Sequence, residues 1–121
     1  MIRSTRQRSA IREAIKAAGR PLCTDEILQL ARQEVPNLGI ATVYRAVKAL
    51  LDERWLHAVE LPGQTTLYER AGLGHHHHFH CRQCGKVYDI DGCPGNLGRL
   101  VPEGFQLEDH DLTLYGRCDA C

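Results

Sequence analysis

Four of the six cysteines fall in two pairs, Cys81-Arg82-Gln83-Cys84 and Cys118-Asp119-Ala120-Cys121, set well apart in the chain. A C-x-x-C turn offers two thiolates to one ion, and two such turns supply the tetrahedral sulfur shell that Zn2+ favours. Gly85 suits this knuckle, where backbone passes close to the metal, often with positive φ. A redox C-x-x-C or a pair of disulfides would use the same residues, but paired spacing in a cytosolic chain favours zinc. A closed four-thiolate shell has no open position for catalysis, so its expected task is to fold the chain around it. Directly ahead of Cys81 runs His75-His76-His77-His78-Phe79-His80. On a strand, His76 and His78 would point one way, and His75 and His77 the other. One run can thus feed two metal sites, with Glu69, Asp89, Asp91, His57 and His110 available to complete either shell around Zn2+, Fe2+, Mn2+ or Ni2+. Cys23 and Cys93 are expected to be small core residues.

The elements that must carry these residues can be read from periodicity. Residues 5–18 form a helix with Ile11, Ala14, Ile15 and Ala18 on one stripe, ended by Gly19-Arg20-Pro21. Thr24 is the expected N-cap of a second helix running to about Gln33, with Asp25 and Glu26 in its first turn. A third covers residues 41–53, with Val43, Ala46, Val47, Leu50 and Leu51 on one arc and Arg45 and Lys48 opposite. Two alternating segments, 55–61 and 65–69, read as a β-hairpin around Pro62-Gly63-Gln64. Three helices and a hairpin make a winged helix, whose third helix enters the major groove. Tyr44 and Arg45, with Thr42 beside them, are the candidates to touch bases; Lys48, Arg6 and Arg8 are candidates for phosphates.

Ala71-Gly72-Leu73-Gly74 breaks regular structure and reads as a hinge. Beyond it, 87–90 and 111–115 alternate as strands, and 96–101 is an expected short helix. The predicted class is therefore α+β, with a winged-helix domain over 1–70, a hinge over 71–74 and a small α/β zinc-stapled domain over 75–121.

Charge is balanced overall, at 15 basic against 15 acidic residues, but the front half is basic. Arg3, Arg6, Arg8, Arg12, Lys16 and Arg20 face a single Glu13 at the start of the chain, as a nucleic-acid surface requires. No apolar run approaches the roughly 20 residues of a bilayer span, and the start lacks the apolar stretch of a secretory signal. A cytoplasmic protein with no membrane partner is the expectation. No substrate-pocket signature supports a zinc hydrolase or other enzyme, and no small-molecule substrate is expected. A zinc-buffering or metal-delivery role would use the histidines but leave the winged helix idle.

Over nearly its whole length the chain resembles the ferric uptake regulator family. The resemblance is carried by Ala41-Thr42-Val43-Tyr44-Arg45, by 75–87 with its histidine run and first C-x-x-C, and by Leu114-Tyr115-Gly116-Arg117-Cys118-Asp119-Ala120-Cys121. It implies a metal-responsive transcriptional repressor of metal-homeostasis genes, a homodimer that binds palindromic operators in double-stranded DNA. Cys81, Cys84, Cys118 and Cys121 match the family's structural Zn2+ site. His76, His78 and Glu69 match its regulatory site, and His57 falls where zinc sensors place a ligand. His75, His77 and His110 match a further site, to which Asp89, matching an acidic ligand of some members, is assigned with them. Zinc sensing is the expectation, favoured by the histidine run and His57; the alternative is an iron or peroxide sensor, favoured by Glu69 and by Ala71 where zinc sensors often have cysteine, and Mn2+ is also open. The chain departs from the family pattern where the dimerisation domain's long helix is reduced to 92–101.

Overall fold

The computed structural model describes residues 2–121, and side chains from Thr5 onward; the side chain of Arg3 lies outside the described ones. The chain divides into a unit ending at Leu73 and a unit Gly74–Cys121.

In the first unit, helices α1 (Ile2–Ala18), α2 (Thr24–Ala31) and α3 (Ile40–Asp52) precede strands β1 (Leu56–Val59) and β2 (Leu67–Arg70). Ile11 and Ile15 of α1, Ile27 and Ala31 of α2, and Val43, Val47 and Leu50 of α3 close one apolar core. Each set recurs every three or four residues, so each helix presents one stripe inward. α1 begins earlier than its apolar stripe requires, at Ile2. α2 opens with Thr24 as its first helical residue, and Cys23 rather than Thr24 is the cap. There Glu26 Oε1 accepts the Cys23 backbone N–H at 3.1 Å while its Oε2 accepts Arg20 Nη2 at 2.9 Å, tying the α1–α2 turn. β1 and β2 pair antiparallel, with His57 opposite Glu69. Leu22 adds a two-bond bridge to Tyr68, at 2.9 and 2.8 Å, which closes the wing against the α1–α2 connection.

The second unit holds one three-stranded sheet in the order β4-β3-β5, formed by β3 (His77–Cys81), β4 (Val87–Ile90) and β5 (Thr113–Gly116). β3 and β4 are antiparallel, with His78 opposite Asp89; β3 and β5 are parallel, with Cys81 opposite Gly116. A parallel neighbour requires a long crossover. Here it runs through β4 and then only a 3-10 turn at Leu97–Leu100, where a helix over 96–101 was expected. Gly95, Gly98 and the flanking Pro94 and Pro102 leave too few helix-forming residues for a full turn of α-helix to offset its nucleation cost.

Candidate metal centres and DNA-facing helix

β3 is the organising element of the second unit. Its pleat sends alternate side chains to opposite faces, and its C-terminal end delivers Cys81 into a turn. Three groups of ligand atoms result.

Cys81, Cys84, Cys118 and Cys121 converge at that turn. Their sulfurs lie 3.8 Å apart for Cys81–Cys121 and for Cys84–Cys118, and 3.5 Å apart for Cys118–Cys121. Thiolates about 2.3 Å from a common tetrahedral ion stand about 3.8 Å from one another, so the spacing fits zinc. No S–S bond joins them; all six cysteines are free. The turn is built by backbone: Gly85 N–H donates to Cys81 O at 2.9 Å, with φ +79 at Gly85, a conformation that costs other residues dearly. Opposite Cys81, Gly116 packs under the Phe79 ring, whose Cζ would stand 3.0 Å from an added Cβ.

Three of the sulfurs, those of Cys81, Cys118 and Cys121, ionise unequally without a cation. The Cys84 backbone N–H, 3.4 Å from Cys81 Sγ, leads the influences that bring the Cys81 thiol down to about 6. The Tyr88 hydroxyl leads those that lower Cys118. Cys121 is pushed up to about 12, first by its hydrogen bond with Cys118 and then by burial. Anions this close repel, and a dication is the simplest way to hold all four as thiolates.

On one face of β3, His76 Nε2 and His78 Nε2 each lie 3.4 Å from the same oxygen, Asp89 Oδ1. All three side chains are largely buried. The other nitrogen of His76, Nδ1, lies 2.9 Å from Gly74 O, which orients the ring and leaves Nε2 facing the carboxylate. Asp89, expected among the ligands shared with His75, His77 and His110, stands with His76 and His78 instead. The antiparallel register places it directly across from His78, and paired residues share a face.

On the other face, His75, His77 and His110 gather with Cys93. His77 is 1 % exposed, and its Nε2 has no hydrogen-bond partner among the described residues. Burial, and next the neighbouring His75, hold its imidazole below the usual value, so it stays neutral with a lone pair to give. Cys93 is exposed rather than a core residue: Gly92-Cys93-Pro94-Gly95 has no apolar neighbours to join a core with. That composition was the available signal for a different role.

In the first unit Glu69 is 3 % exposed on β2, an uncommon burial for a carboxylate. His57 is exposed on β1 and belongs to none of the three groups among the described residues. On α3, Tyr44 is 56 % exposed and Arg45 and Lys48 also point outward. Arg45 Nη2 donates to Thr42 Oγ1 at 3.1 Å, and Lys48 lies 3.7 Å from Asp52. Arg8 is exposed, whereas Arg6 is engaged at 2.9 Å by the carbonyl of Glu34.

A winged helix followed by a small sheet loaded with thiolate and imidazole ligands is the build of a metal-responsive transcription regulator. The chain belongs to the ferric uptake regulator family, whose model matches residues 1–115. It is 26% identical over 125 residues to ferric uptake regulation protein 2 of Mycolicibacterium fortuitum, covering 99% of this chain and 86% of that protein. Among solved structures it is similar to a zinc-bound manganese uptake regulator, with a TM-score of 0.82 and 27% identity over 93% of this chain and 87% of the other. It is also similar to the Helicobacter pylori ferric uptake regulator, described as having three functional metal-binding sites, with a TM-score of 0.72 and 28% identity over 95% of this chain and 79% of that one.

Proposed function

We propose that this protein is a homodimeric repressor that binds palindromic operator DNA when a regulatory metal is present, controlling metal-homeostasis genes in the cytoplasm. The observation that carries the reading is the convergence of His76, His78 and Asp89 immediately beyond the two-glycine segment that follows the winged helix. Cys81, Cys84, Cys118 and Cys121 hold a structural Zn2+ that folds the second unit. Glu69, shortly before the histidine run in sequence, joins His76, His78 and Asp89 in the regulatory shell. A bound dication supplies positive charge that lets two imidazoles and the carboxylates share one centre. With ligands on both sides of 71–74, the shell restricts the hinge and holds the two reading helices at the spacing of one duplex turn, about 34–36 Å. Tyr44 and Arg45, with Thr42 beside them, read bases; Lys48 and Arg8 meet phosphates. Two copies pair through the second unit. Supporting this, β5 is an outer strand with Leu114 and Tyr115 exposed, and Leu100, Phe105 and Leu107 are exposed nearby in sequence.

Two imidazoles with carboxylates and no thiolate suit Fe2+ or Mn2+ as well as zinc. The place of Asp89 favours Fe2+. The zinc reading keeps one support: His57 is register-paired with Glu69, so the wing can present an imidazole beside a carboxylate. Both are tested by titrating operator affinity against buffered free Zn2+, Fe2+ and Mn2+ with the structural zinc retained. The expected result is metal-stimulated binding that His76→Ala reduces by about 10- to 100-fold, leaving metal-free binding unchanged. Equal loss of basal and stimulated binding would remove the sensor role. His57→Ala should matter only if zinc is the ion sensed.

A further inference from the structure

The group at His75, His77 and His110 contains a thiol. Its ligand atoms and Cys93 Sγ all lie within 4.8 Å of one another. His110 Nε2 is 3.1 Å from His75 Nε2 and 3.3 Å from Cys93 Sγ. An imidazole nitrogen has either one N–H or one lone pair, so it serves one in-plane partner well and two poorly. Atoms around one ion need no such choice. Ligands at zinc distances on a tetrahedron stand about 3.3 Å apart for two nitrogens and about 3.5 Å for nitrogen and sulfur. The three rings meet edge-on or tilted, with centroids 4.6, 4.7 and 5.0 Å apart, as rings turned towards one point do. The buried Nε2 of His77, without a hydrogen-bond partner among the described residues, is a further sign that the cluster is made to receive something.

We propose that Cys93 is the fourth ligand of this site, and that its three-imidazole, one-thiolate shell takes Zn2+ in preference to Fe2+ or Mn2+. The inference rests on the clustering of these three histidines as metal ligands, separate from the regulatory shell proposed above. Four protein ligands close the tetrahedron, and a thiolate selects a softer ion than the carboxylate-bearing site on the opposite face of β3. Cys93 and His110 stand at the two ends of the crossover between β4 and β5, whose residues are mostly exposed. The shell therefore clasps that crossover to β3, a fixing task the few apolar side chains there cannot perform.

The test is Co2+ titration of the full-length protein with its four-cysteine zinc retained, in the His76→Ala background so that one histidine site remains. Wild-type Cys93 should give one tightly bound Co2+ with a near-ultraviolet thiolate-to-cobalt band and intense visible bands of tetrahedral cobalt. Cys93→Ser should lose the near-ultraviolet band and bind Co2+ and Zn2+ about 10-fold more weakly or worse, with unchanged circular dichroism. Cys93→Asp should restore binding without the band and narrow the preference for Zn2+ over Mn2+. A band that survives in Cys93→Ser belongs to the four-cysteine cluster and overturns the proposal. One bound Co2+ with no thiolate band in the parent leaves the histidine site standing and removes Cys93 from it. If His110→Ala leaves the bound cobalt unchanged, the histidine site itself is wrong.

Discussion

In the first unit, side chains such as Ile11, Leu22, Ile27, Leu38, Val43 and Leu50 are 0 or 1 % exposed and touch one another. In the second, the buried residues are His77, Cys81 and Val87. Both are small, yet one fills its interior with hydrocarbon and the other with donor atoms. The difference follows from what is available: the short unit Gly74–Cys121, carrying a four-sulfur knuckle and two histidine faces, has little room left for an apolar core, and small domains commonly substitute a metal. The first unit should therefore stand without metal and the second should not.

The strongest way to break that contrast is Cys118→Ser. Structural zinc in small domains contributes on the order of 10 kcal/mol, so the second unit should unfold. Trp55, the only tryptophan and part of the first unit's packing, should keep its fluorescence. Joint loss of the Trp55 signal and the second unit's structure would show one cooperative body instead of two. The converse change is Leu50→Ala. Emptying that buried site should cost about 3 kcal/mol in denaturant unfolding followed at Trp55. Zinc affinity of the four cysteines should stay within about twofold; a larger change would mean that the apolar core also supports the knuckle. The smallest effect concerns Glu26. Burial pushes its carboxyl up, but the Arg20 guanidinium at 2.9 Å and the Cys23 N–H outweigh this and hold it below its usual value. A carboxylate lowered in the folded state stabilises above its ordinary range, and that contribution is lost as pH falls through the folded value. Glu26→Gln should cost about 1 kcal/mol at neutral pH, and the gap to wild type should close on acidification. A gap independent of pH would show that its charge contributes nothing.

Much of this architecture is legible in the chain itself, and the reason is periodicity. Val43, Ala46, Val47 and Leu50 recur at helical spacing, and their burial leaves Tyr44, Arg45 and Lys48 outside. The histidine run alternates, which separates His76 and His78 from His75 and His77 before any register is known. Register is what periodicity leaves out. Whether Asp89 serves one face or the other depends on its standing opposite His78, a pairing set by the β3–β4 turn and not by composition. The Leu22–Tyr68 bridge joins residues far apart in the chain by backbone alone and leaves no mark on side-chain pattern. Cys93 was hidden differently. It lies about midway between its partners His75 and His110 in the chain, remote from both, and no knuckle motif encodes such a spacing.

Because a single strand feeds all three ligand clusters, the spacing of residues 75–81 is under a constraint stricter than the identity of any one of them. Loss of one residue between His78 and Cys81, with Cys81 still anchored in its turn, would rotate every upstream imidazole to the reverse side of the sheet. The ions would then exchange addresses together. Point substitutions can retune one centre at a time, but a change of length would rewrite two at once.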